Sequence, residues 1–163
     1  MKLDNLSPVM QERAKELKEL FPAVVYTSGS RDRVKQAKAM AANVVTDRRW
    51  IRKVYVQAAR LQTMVDLHPE AVTVDDLQDL LLDELDSMSD EELAKLSDHF
   101  TGNAVDVKPM EVRVGKVSMP TEAGLKVIDW IENCPDTKWF TTREGGMVRW
   151  HWATKPLRDT VPV

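Results

Sequence analysis

Cysteine is almost absent from this chain: Cys134 is the only one in 163 residues. A single thiol excludes an intrachain disulfide, and with no helix start beside it Cys134 reads as a small buried hydrophobe rather than a nucleophile. Long apolar runs are missing too. No stretch approaches the roughly 18 apolar residues a membrane span needs, and Met1 to Asn5 lacks the apolar core of a secretion signal. Charge of one sign is scarce: the net charge is -3, too small to announce a nucleic-acid partner or a trap for acidic substrates. Internal repeats and low-complexity linkers are absent. What remains, 43% apolar and 30% charged residues, is the composition of a globular chain, long enough for one ordinary domain with a core. A single domain over 1–163 is expected, with an irregular tail at 155–163.

Local patterns predict mixed structure. Ser7-Pro8 is a helix N-cap followed by proline at the first helical position, and Met10, Ala14, Leu17 and Leu20 recur at helical spacing until Pro22. Ala23 to Thr27 is β-branched and aromatic, the mark of a strand. From Arg31 to about Val65 the pattern is helical, with a bend near Thr46-Asp47. Arg48, Arg49, Arg52 and Lys53 cluster here. They read as a solvated helix face, with contact to an anionic polymer or protein as the sharper alternative. His68-Pro69 falls in a loop. Thr73 caps a helix bearing Leu77, Leu80, Leu81, Leu85 and Met88, whose acidic outer face lacks the glycine and spacing of a calcium loop. Ser89-Asp90-Glu91-Glu92 is a capping box. Ala104 to Val107 is a strand, Met110 to Val117 alternates, and Thr121 caps a helix turning Leu125, Val127, Ile128, Trp130 and Ile131 inward. Glu144-Gly145-Gly146-Met147 is a hairpin turn pairing Trp139–Thr142 with Val148–Trp152. The expected fold is α+β: helices on a small, mainly antiparallel sheet, with an enlarged helical insert at about 45–96.

Histidine is scarce, with three in the chain, which makes the spacing around His99 informative. His99 lies seven residues before Asp106, with Gly102 permitting a tight turn and Ala104 keeping the Asp106 face of the strand small. His151 lies on the second hairpin strand, on the face opposite Trp150 and Trp152. Two imidazoles and a carboxylate are the ligand types of an open zinc site that keeps a position for water.

The stretch Ser97-x-His99-x-x-Gly102-x-Ala104-x-Asp106 resembles the signature S-x-H-x-x-G-x-A-x-D of the zinc D-alanyl-D-alanine carboxypeptidases and L-alanyl-D-glutamate endopeptidases, whose fold is shared with the Hedgehog signalling domain. Trp150-His151-Trp152 is similar to that family's second element, and Tyr26 to Arg31 to its early Ser-Gly-aromatic-Arg element. The resemblance implies zinc as cofactor, held by His99, Asp106 and His151. It also implies Arg31 as the contact to substrate and oxyanion, Ser97 at the substrate, and a peptidoglycan stem peptide as partner. A phage lysis or virion-associated enzyme, made in the host cytoplasm and acting at the cell wall, is the setting it suggests.

One family position departs. The base glutamate stands three residues before the last histidine in the family, and here that position is Val148. Glu144 is the nearest glutamate. Pairing it with Met147 leaves about 13 Å along the strand to His151, at roughly 3.3 Å per residue, unless a wider loop or a bulge folds it back. Otherwise the base comes from elsewhere, such as Asp98, or the chain is an impaired zinc-fold binding or structural module.

Overall fold

A computed structural model describes residues 3–55 and 58–156. The expected tail at 155–163 lies outside the described residues from 157 onward. The chain separates into two compact units, Met1–Ser30 with Thr101–Val163, and Arg31–Phe100. The fold is α+β, as the patterns predict.

The first unit holds the sheet. Its elements are α1 (Pro8–Leu20), β1 (Tyr26–Ser28), β2 (Ala104–Val107), β3 (Glu111–Val114), β4 (Val117–Pro120), α7 (Glu122–Asn133), β5 (Thr137–Glu144) and β6 (Met147–Thr154). β1, β2, β6 and β5 lie side by side in that order, each neighbour antiparallel, while β3 and β4 form a separate hairpin. Ser7 caps α1 and accepts from the Met10 N–H, with Pro8 at the first position as predicted. Met10, Ala14 and Leu17 of α1, Val127 and Ile131 of α7, and Val105, Val107, Trp150 and Trp152 of the sheet make one apolar core. Apolar burial of this kind is the main stabilising term, about 1.5–3 kcal/mol for each large aliphatic side chain. The inward set on α7 is narrower than expected. Val127 and Ile131 are buried, but Leu125 is 56% exposed, because Gly124 rather than Leu125 meets the Met110 backbone. The first strand starts at Tyr26 rather than Ala23.

The second unit is helical: α2 (Arg33–Thr46), α3 (Trp50–Val54), α4 (Ala59–Asp66), α5 (Val74–Asp86) and α6 (Asp90–Leu96). The pattern read from Arg31 to Val65 is thus three helices, the first ending at the C-cap Asp47. α2 packs along α5, burying Ala37, Met40, Ala41 and Val44 against Leu77, Leu81 and Leu85. The capping box forms in full, with the Ser89 hydroxyl on the Glu92 N–H and the Glu92 carboxylate on the Ser89 N–H. Arg48 departs from the solvated face expected for it. Its guanidinium donates to the carbonyls of Val65, His68 and Ala71, clamping the loop that follows α4. Lys53 pairs with Asp47 at 2.7 Å. No helix among the described residues is long and apolar enough to cross a membrane.

Candidate metal centre

A 3-10 turn, Asp98–Thr101, carries His99. Its conformation is set locally. Ser97 ends α6, and its hydroxyl accepts the His99 N–H at 3.3 Å. The turn then closes at Gly102, whose φ of 74° is left-handed and whose carbonyl accepts the Ser7 N–H at 3.0 Å. The Asn103 carbonyl accepts the Thr154 N–H at 2.8 Å, so the chain enters β2 tied to the end of β6. In β2, Ala104 to Val107 pair with Ala153 to Trp150, which sets Asp106 directly opposite His151.

The outcome is a cluster. One ligand atom each from His99, Asp106 and His151 lies within 4.8 Å of the others. His99 is 3% and His151 6% exposed. The two oxygens of Asp106 have different partners. Oδ2 accepts from the Ser28 hydroxyl across the β1–β2 pair, and Oδ1 stands 2.9 Å from His151 Nδ1. With Nδ1 protonated, that contact is a His–Asp hydrogen bond. With Nδ1 bare, the two atoms are both electron-pair donors that a shared cation would bridge. Ligands about 2.0–2.1 Å from a tetrahedral zinc stand roughly 3.3 Å apart, between the observed 2.9 Å and the 4.8 Å bound. Donor types, burial and spacing therefore fit a metal ion.

Glu144 is the main correction. The register pairs it with Met147, as expected, yet its Oε1 lies 3.9 Å from His151 Nδ1. The expected 13 Å assumed a straight strand. Instead the register shifts between Thr141 and Arg143: Thr141 faces His151 and Arg143 faces Val148, so three residue steps of β6 run beside two of β5. Such a bulge bends and coils a hairpin. Both turn glycines carry positive φ, 56° at Gly145 and 80° at Gly146, the left-handed pair that a two-residue turn needs. Glu144 thus lies beside His151, its side chain 18% exposed.

The remaining sequence candidates sit as follows. Ser97 holds the His99 backbone. The Arg31 N–H donates to the His99 carbonyl at 3.0 Å, joining the two chain ends of the helical unit, and its Nη1 donates to Gln36 Oε1 at 3.4 Å. His68 is apart from the cluster, its Nδ1 on the Met64 carbonyl at 2.8 Å. Sequence reasoning missed two residues that touch the site. Ser28 orients Asp106, and a hydroxyl opposite an acid in a neighbouring strand is visible only once the β1–β2 register is known. Trp139 stacks on the His151 ring, centroids 4.5 Å apart and planes 20° from parallel. Its position two residues before Thr141, the partner of His151, is a period-two signal that needed the same register.

Compared with protein-family models, curated proteins and solved structures, the chain matches none.

Proposed function

We propose that this chain is a zinc-dependent peptidase that hydrolyses a peptide bond in peptidoglycan stem peptides, of the D-Ala-D-Ala or L-Ala-D-Glu type. The substrate class comes from the motif resemblance at Ser97 to Asp106, Trp150 to Trp152 and Tyr26 to Arg31. The observation that carries the catalytic part is the Glu144 carboxylate, 3.9 Å from Nδ1 of His151, one of the three candidate ligands.

His99, Asp106 and His151 would hold the metal. Zinc bound there supplies a water of lowered pKa, about 7 against 15.7 in bulk, and polarises the scissile carbonyl. The residues of the chain do the rest. Glu144 accepts a proton from the attacking water as its oxygen bonds the carbonyl carbon, and gives that proton to the amine nitrogen as the C–N bond breaks. The products are a carboxylate and a free amine. Ser28 keeps Asp106 aligned, and the stacked Trp139 keeps the His151 ring from turning. Arg31 is the proposed donor to the developing oxyanion, a role worth roughly 3 kcal/mol. A phage-encoded or virion-associated setting, with action at the cell wall, follows from the family analogy alone.

The test is amine release from purified peptidoglycan and from synthetic stem peptides by the zinc-loaded chain. New amine groups from the wild type and none from Glu144→Gln are expected. A wild type that holds zinc and releases nothing would instead identify a zinc-fold binding module.

A further inference from the structure

A second carboxylate is buried against residues that flank Glu144 and His151 in the chain, and it is used by none of the steps above. Glu111, at the start of β3, has a side chain only 3% exposed. Donors converge on both of its oxygens. Arg143 gives Nη1 to Oε2 at 2.8 Å and Nη2 to Oε1 at 2.9 Å, Trp150 gives Nε1 to Oε2 at 2.6 Å, and Ser118 gives its hydroxyl to Oε1 at 2.8 Å. Two donors on each oxygen use the acceptor positions of a carboxylate fully. Arg143 also donates to the carbonyls of Ser118 at 3.0 Å and Thr142 at 2.9 Å. A bidentate pair of this kind fixes geometry, whereas a covered ion pair adds little net stability over apolar packing.

The placement of the donors matters. Arg143 immediately precedes Glu144 and borders the register shift, and Trp150 immediately precedes His151. One carboxylate thus grips the chain beside the base and the chain beside a metal ligand. We propose that Glu111 is a positioning residue: through Arg143 it holds the bulged end of the β5–β6 hairpin so that Glu144 stays over the ligand cluster, and through Trp150 it fixes the strand that presents His151. This rests on Glu144 as the base.

The experiment uses the full chain, with Glu111→Gln and Arg143→Lys. Lysine keeps the charge of Arg143 but loses the planar fork. In the zinc-loaded protein kcat on a stem peptide should fall about 100-fold, the scale of a 1 Å misplacement, with KM within about twofold and zinc stoichiometry unchanged. The double variant should be no worse than the poorer single one. In the metal-free protein, amide hydrogen exchange over Arg143–Met147 should accelerate roughly tenfold while β2 and α7 stay as in the wild type. Exchange unchanged over Arg143–Met147, or accelerated across the whole sheet, overturns the proposal, the latter result marking a merely structural ion pair. A wild type that cleaves no stem peptide refutes the peptidase reading, and the exchange pattern still decides whether Glu111 holds the hairpin end. If Glu111→Gln does not fold, Arg143→Lys alone decides.

Discussion

Replacing Gly102 by alanine tests how the turn between His99 and Asp106 is built. Gly102 has φ of 74°, a region that costs an L-residue about 1–2 kcal/mol. A Cβ built there would stand 2.8 Å from Ser7 N and 3.0 Å from Asn5 O. Both are backbone atoms, so no rotamer relieves the contact, and the 3.0 Å bond from the Ser7 N–H to the Gly102 carbonyl is put at risk. Losing that bond adds about 1 kcal/mol, and the stiffer unfolded chain returns about 0.4–1 kcal/mol. These terms sum to about 1–2.6 kcal/mol, and relieving the backbone contact costs at least about 1 kcal/mol more, for an expected loss of about 2–4 kcal/mol. Gly115→Ala is the control, because Gly115 has a similar φ of 66° with nothing within 4 Å of its added Cβ. It should cost only about 1 kcal/mol. Urea unfolding followed by tryptophan fluorescence reads both, since Trp150 and Trp152 are buried in the same unit. A Gly102→Ala loss no greater than that of Gly115→Ala would refute the close-approach argument.

Other expectations are as specific. Ser28→Ala removes the hydroxyl that holds Asp106 Oδ2 and should weaken zinc binding about 10- to 100-fold, read by competition with a chelator; an unchanged affinity would mean Asp106 is oriented by its strand alone. Trp139→Ala removes the stacked cover of His151 and should lower kcat with little change in unfolding midpoint, since Trp139 is 38% exposed. Glu111 is held below the ordinary carboxylate range, first by the Arg143 hydrogen bonds and then by the Trp150 and Ser118 donors. A depressed folded pKa means its stabilisation is complete above the unfolded value near 4.3 and is lost as pH falls through the folded one. The acid-side loss of stability should therefore be smaller in Glu111→Gln than in the wild type, and identical pH profiles would contradict the assignment.

Local chemistry made much of the fold legible. The capping box at Ser89, the Ser7-Pro8 helix start, strand β2 and the Gly145-Gly146 turn each depend on neighbours a few residues apart, and each formed as the sequence predicts. His99, Asp106 and His151 do come together in a group able to hold a metal ion, because the hairpin and the His99–Asp106 spacing were both readable. Long-range register was not. Whether Glu144 reaches His151 depends on one register shift in β6, and no residue type announces a bulge. Ser28 and Trp139 join the site through pairings between distant strands. Leu125 looked inward because helical periodicity alone does not say that Gly124 takes the closest approach to the Met110 backbone. Arg48 looked solvated because a cation beside other cations gives no hint that three carbonyls lie within its reach.

The central claim is that His99, Asp106 and His151 form one metal site. Equilibrium zinc titration of the purified chain, with His99→Ala beside it, tests this most directly. The account predicts one zinc per wild-type chain and none bound stoichiometrically by His99→Ala at an unchanged unfolding midpoint of the metal-free protein. No stoichiometric zinc in the wild type, or equal binding by the two proteins, would contradict it.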